Sequence, residues 1–272
     1  MGKFKFGLCE WSVAQRGFDL CKLASESGLD GIQLCVGLEA SEGKGLVDER
    51  LQKEYLEGRD EFKIDFTSIS VTALDYFSMS KPENENEYNM AMSFVYQAID
   101  IAAKFDIKMV MCPSFNKSAI VDQDSFSKTA NNFNKFCQYA KKNNIMISTE
   151  SNLPADDILK LINIVGEEQL FVYFDTQNHY LKNRSNMADL YRKLAPFICE
   201  IHVKDGVDDD LSGALLGKGS TGFYDTAEAI LKSNYTGYIV LENYYHLPPL
   251  CCEDNSIILL KKDIETLKRV FN

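Results

Sequence analysis

The chain has 272 residues, of which 45% are hydrophobic and 25% charged, and its net charge is −11. That length suits one large domain or two small ones, and so apolar a composition excludes disordered, collagen-like and low-complexity chains. Basic clusters reach no further than pairs, such as Lys141-Lys142 and Lys261-Lys262. No stripe is therefore available to grip a phosphate backbone or an anionic membrane, and neither nucleic acid nor membrane is expected as a partner.

The N-terminal Met1-Gly-Lys-Phe-Lys-Phe-Gly-Leu is too short and mixed for a signal peptide, and no apolar run approaches the ~20 residues of a spanning helix. Eight cysteines lie mostly within apolar stretches, without a CxxC pair. Buried free thiols in a reducing cytoplasm are the expectation.

Along the chain, short apolar runs recur at residues 4–8, 31–35, 66–71, 109–112, 145–150, 171–175, 199–203 and 238–242. Each precedes a longer stretch, several with helical spacing. Met90, Phe94, Ala98, Ile101, Ala102 and Phe105 share one face, as do Phe126, Ala130, Phe133, Cys137 and Ala140. At the end of the chain Ile257, Leu260, Ile264, Leu267 and Phe271 do the same. Apolar strands alternating with helices predict parallel pairing through helical crossovers. Eight such units without a Pro/Gly/Ser-rich linker predict a single (β/α)8 TIM barrel, with residues 1–272 as one domain. An open doubly wound sheet is the competitor, weakened by the absence of GxGxxG after the first run.

Four consecutive strands end on polar groups. The fifth reads Ile145-Met-Ile-Ser-Thr-Glu150, the sixth Phe171-Val-Tyr-Phe-Asp175, the seventh Cys199-Glu-Ile-His202-Val and the eighth Tyr238-Ile-Val-Leu-Glu242. Strand alternation sends Ile145, Ile147, Val172, Phe174, Cys199, Ile201, Ile239 and Leu241 toward helices. It sends Glu150, Asp175, His202 and Glu242 inward. Three carboxylates cannot converge uncompensated, because repulsion and desolvation would protonate them or open the site. One divalent metal ion resolves this. Oxygen-rich ligation with one nitrogen fits Mn²⁺ best, with Mg²⁺, Zn²⁺ or Co²⁺ as alternatives. The competing reading makes each acid a helix cap or a lysine partner.

These segments, with Gly28-Leu-Asp-Gly-Ile-Gln33, Tyr-Phe-Asp175-Thr-Gln-Asn178, Ile-His202-Val-Lys-Asp205 and Gly217-Lys-Gly219-Ser-Thr-Gly-Phe223, resemble the xylose isomerase-like TIM-barrel superfamily. More narrowly they resemble its sugar-phosphate isomerase/epimerase branch. The resemblance implies that Glu150, Asp175, His202 and Glu242 bind the metal, and that Glu150 and Glu242 act as catalytic acid and base. Relatives often carry histidine where this chain has Asn178, with His179 one residue later. They often carry arginine at the position of Asp208 and glutamate at that of Gln33.

Other residues admit two readings each. Trp11 either walls a sugar ring or fills the core. Lys204 either binds a substrate oxygen or neutralises Glu200 or Asp205. Asn178 and His179 are placed to contact substrate, and His246 and its neighbouring tyrosines either wall the pocket or pack a loop. The N–H groups of 217–222 either cradle a phosphate or form a turn between strand and helix.

The function expected is a metal-dependent sugar or sugar-phosphate epimerase or isomerase. It would act through an enediolate, by proton transfer next to a carbonyl. Alternatives are a sugar or polyol dehydratase on the same scaffold and a non-catalytic sugar-binding barrel. An abasic-site endonuclease of the same superfamily needs more histidines than the three present, and a less acidic chain. The expected partner is a small-molecule carbohydrate, and a homo-oligomer is compatible with the sequence.

Overall fold

The computed structural model describes residues 3–272. Its strands are β1 (Phe4–Cys9), β2 (Gly31–Cys35), β3 (Asp65–Ser70), β4 (Met109–Ser114), β5 (Met146–Ser151), β6 (Leu170–Asp175), β7 (Ile198–Val203) and β8 (Gly237–Leu241). They follow the eight predicted runs to within a few residues. All pair in sequential order in a closed barrel, and β8 returns parallel to β1 with Phe6 opposite Ile239. The predicted TIM-barrel architecture is therefore present, and the open sheet is not.

The helices are α1 (Gly17–Glu26), α2 (Glu49–Phe62), α3 (Asn86–Phe105), α4 (Gln123–Lys141), α5 (Ala155–Val165), α6 (Asn178–Asn183), α7 (Met187–Leu194), α8 (Phe223–Leu231) and α9 (Ser256–Phe271). None of them is long and apolar enough to cross a membrane. The predicted apolar face of α4 is buried throughout. Met90 and Ile257 are only half-buried.

Two groups of residues are compact in themselves. One holds the described residues up to Gln33, with Glu57–Phe66 and Tyr173–Asn272; the other holds Leu34–Leu56 and Thr67–Val172. In the first, outward strand residues meet helices as alternation requires. Phe4 of β1 packs edge-on against Phe271 of α9, and Phe174 of β6 against Tyr191 of α7. Inward residues meet each other: the rings of Tyr173 and His202 lie 4.2 Å apart. In the second, Cys112 of β4 is fully buried, and burial, with a smaller contribution from Cys137 of α4, pushes its thiol up. The cysteines 9, 21, 35, 112 and 137 are buried, Cys251 and Cys252 are exposed, and all eight are free thiols.

Two buried aspartates tie down the segments after β7 and β8. Asp205 accepts from the backbone N–H of Gly206, Gly217 and Gly219 at 2.9–3.0 Å, and from the Thr221 hydroxyl at 2.8 Å. A Cβ on Gly219 would lie 2.2 Å from the Asp205 carboxylate, so only glycine permits this approach. The amides of 217 and 219 are thus already used. The stretch is a turn between strand and helix, and the phosphate-cradle reading loses its donors.

Asp263, on the buried face of α9, accepts from Leu216 N–H, Asn243 Nδ2 and the Tyr245 hydroxyl, each at 2.8 Å. Asn243 Oδ1 in turn accepts from the Asp205 amide at 3.0 Å. Burial pushes the Asp263 carboxyl up to about 6, outweighing the three hydrogen bonds that pull it down.

Asp205→Ala leaves several buried N–H groups without an acceptor, at ~1–3 kcal/mol each. Urea unfolding should show a loss on the order of 3 kcal/mol or more. For Asp263 the raised folded-state pKa means that the native chain holds a proton the unfolded chain has lost. Its stabilisation is complete below about 3.8 and is lost as pH rises through about 6. Stability of the wild type relative to Asp263→Asn should therefore fall between pH 4 and 7, by up to ~3 kcal/mol. A pH-independent difference would contradict the assignment.

Candidate metal and active site

Each functional side chain sits where its strand stops. β5 ends with Glu150 and Ser151, β6 with Asp175, β7 with His202 and Val203, and Glu242 directly follows β8. The Glu242 amide donates to Val203 O at 3.0 Å, carrying the β7–β8 pairing one residue further. All four side chains are buried, and one ligand atom from each lies within 4.8 Å of the others. The alternation argued from sequence brings the four together.

Both carboxylate oxygens of Glu242 have defined partners. Its Oε1 accepts from the Trp11 indole N–H at 3.1 Å, and its Oε2 from the Lys204 ammonium at 2.6 Å. His202 Nδ1 stands 3.3 Å from the same Oε2. Lys204 also reaches Asp175 Oδ2 at 3.2 Å, so one ammonium, 3% exposed, bridges two of the four converging groups. The other oxygen of Asp175 accepts from the backbone N–H of Gln177 at 2.8 Å and of Asn178 at 2.6 Å. On the far side of the imidazole, His202 Nε2 lies 2.7 Å from Gln33 Oε1.

Burial alone would raise the Glu242 carboxyl. The neighbouring His202 ring, the Lys204 ammonium and the hydrogen bonds from Lys204 and Trp11 outweigh it, holding the group below the usual carboxylate range. Three carboxylates and one ammonium leave the cluster two charges short of neutrality, which a divalent cation supplies exactly in number. The donor set also fits: hard oxygens with one imidazole nitrogen suit Mn²⁺, Mg²⁺ or Zn²⁺. A second group of possible ligands, Cys9, His202 and Glu242, shares two of its members with the first.

Other expectations are refined. Lys204 does not neutralise Asp205, which is filled by backbone and hydroxyl donors; its described partners are Asp175 and Glu242. Trp11 is half-buried and neither purely core nor free wall, since its N–H holds Glu242. Asn178 opens α6 with its backbone on Asp175, and His179 beside it is buried. His246 Nδ1 lies 3.1 Å from Ser12 O, the loop-packing reading. At Asp208, the position where relatives often carry arginine, Arg184 from the end of α6 donates to the main-chain oxygen at 2.8 Å. Cys9 escaped the sequence reading, and Gln33 entered it only as the position where relatives often carry glutamate. The inward parity of Cys9 on β1 and Gln33 on β2 was the available signal, but neither is a carboxylate or an imidazole.

A family model, the xylose isomerase-like TIM barrel, matches residues 21–269. The chain is 29% identical over 269 residues to 2-epi-5-epi-valiolone 7-phosphate 2-epimerase of an Actinoplanes species, covering 97% of this chain and 94% of the relative. Among solved structures it is similar to a Methylomonas D-allulose 3-epimerase in complex with D-allulose. That TM-score is 0.78, at 15% identity, with 100% and 98% of the two chains covered. It is also similar to the IOLI protein with a binding zinc atom, at TM-score 0.74 and 13% identity over 98% of both chains.

Lys204→Met removes the only charge between Asp175 and Glu242 that the structure describes. Breaking a buried pair in this way costs about 3–5 kcal/mol. Urea unfolding in the presence of a chelator should show that loss, and added Mn²⁺ should recover part of it. Equal stability of variant and wild type in chelator would contradict the bridging role.

Proposed function

Because the chain belongs to the xylose isomerase-like TIM-barrel family, we propose that it is a single-domain, metal-dependent epimerase of a sugar or sugar phosphate, acting next to a carbonyl. The observation that carries the reading is the buried convergence of Glu150, Asp175, His202 and Glu242. The similarity to 2-epi-5-epi-valiolone 7-phosphate 2-epimerase along nearly the whole chain supports it, and the zinc-bearing fold relative supports the metal.

Glu150, Asp175, His202 and Glu242 would hold the cation. When bound, it would polarise the substrate carbonyl and acidify the neighbouring C–H. Glu150 is the penultimate residue of β5 and Glu242 follows β8, strands that are not neighbours in the ring, so the two carboxylates can approach a substrate from different sides. One removes the proton as base and the other returns a proton to the opposite face, which inverts the carbon through an enediolate. Trp11 fixes Glu242 by its indole N–H, and the Lys204 ammonium stabilises negative charge developing on the substrate oxygen. Asn178 and His179, on the first turn after Asp175, contact the remaining hydroxyls. Mn²⁺ is the metal we favour, and the reducing cytoplasm is the compartment that suits eight free thiols.

The test is a panel of ketoses and ketose phosphates incubated in D₂O with Mn²⁺. Deuterium should enter the carbon next to the carbonyl. Glu150→Gln and Glu242→Gln, with metal occupancy confirmed, should each slow exchange by ~10²–10⁴-fold. His202→Ala should lose metal by elemental analysis. Near wild-type exchange in both Gln variants would overturn the two-base mechanism, and exchange accompanied by loss of water would point to a dehydratase instead.

A further inference from the structure

We propose that Gln33 is a positioning residue that decides which nitrogen of His202 carries the proton, and so which one is offered to the cation. The inference goes beyond the metal ligands themselves and rests on the metal reading above. Gln33 and His202 are both 0% exposed, so neither can satisfy its polar atoms with bulk water. Gln33 Oε1 lies 2.7 Å from His202 Nε2. The same oxygen accepts from the Cys9 thiol at 3.4 Å. The Cys9 thiol, donating to that atom, identifies it as the carbonyl end of the amide.

A carbonyl oxygen only accepts, so His202 Nε2 must be the protonated nitrogen. In a neutral imidazole Nδ1 then keeps its lone pair. Nδ1 is the nitrogen on the Glu242 side, 3.3 Å from Oε2. Rings on two sides resist rotation of the imidazole: Tyr173 at 4.2 Å and Trp11, edge-on, at 5.9 Å between centroids. Turning the Gln33 amide over would reverse the result. Its NH₂ would donate to Nε2, the proton would move to Nδ1, and the nitrogen facing the carboxylates would have no lone pair to give. A ligating histidine generally needs such an outer acceptor, and losing it typically lowers metal affinity 10–100-fold. Position 33 is where the family resemblance leads one to expect glutamate. A neutral glutamine keeps the acceptor without adding a fourth carboxylate to the cluster.

The experiment is long-range ¹H–¹⁵N spectroscopy of the histidine rings at pH 8.5, with the full chain in metal-free and Zn²⁺-loaded forms. The His202 signals are those missing from His202→Ala. In both forms the proton should reside on Nε2, with Nδ1 shifted on zinc binding. Chelator competition should show zinc affinity falling ~10–100-fold in Gln33→Leu and recovering in Gln33→Glu, which presents the same acceptor. A proton on Nδ1 in the wild type overturns the proposal, as does a folded Gln33→Leu with wild-type zinc affinity and an unchanged tautomer. If Gln33→Leu fails to fold, the wild-type spectrum and Gln33→Glu still decide. A wild type that binds no zinc or Mn²⁺ would defeat the metal reading instead, and the metal-free spectrum would then judge Gln33 by itself.

Discussion

Burying like charges together is the constraint around which this site is organised. Asp175 and Glu242 are 2% and 8% exposed, and both lean on the ammonium of Lys204. Without a positive partner, two carboxylates so placed would take up protons or separate. Lys204 holds them close, and a divalent cation would complete the neutralisation once Glu150 is counted. The surrounding hydrogen bonds follow from the same need. The Trp11 indole takes one oxygen of Glu242, and the turn after β6 takes one oxygen of Asp175. Each carboxylate therefore presents a particular oxygen in a particular direction, which is what positioning a cation and a substrate requires.

The same molecule uses buried aspartates in a second, structural way. Asp205 and Asp263 accept almost entirely from neutral backbone and side-chain donors, and they gather the chain after β7 and β8. Asn243 joins the two, and it directly follows Glu242. The ends of the two strands that carry His202 and Glu242 are thereby held by one network. A carboxylate that closes loops by accepting amide protons differs from one that shares an ammonium with another acid.

Strand periodicity made the barrel readable from the sequence. Alternating parity has only two outcomes per strand, and packing outward residues such as Phe174 against a helix fixes which one holds. Asp175 must then point inward, and the same logic placed Glu150, His202 and Glu242. Helical spacing likewise gave the buried face of α4. Asp263 was missed because it lies on an apolar face where periodicity alone offers no reason for an acid.

The sequence by itself thus determined the strands, their order and the four groups that converge, because these depend on local periodicity and on parallel connection. Tertiary structure alone decided the pairings. Trp11 meets Glu242 across 231 residues of chain, His202 meets Gln33 across 169, and Asp263 meets Leu216 across 47. Hydrogen-bond partners depend on distances and directions that closing the barrel creates. A glutamine with inward parity becomes the acceptor for an imidazole, and a lysine two residues after a histidine becomes the bridge between two acids, only after the ring of strands has brought them together.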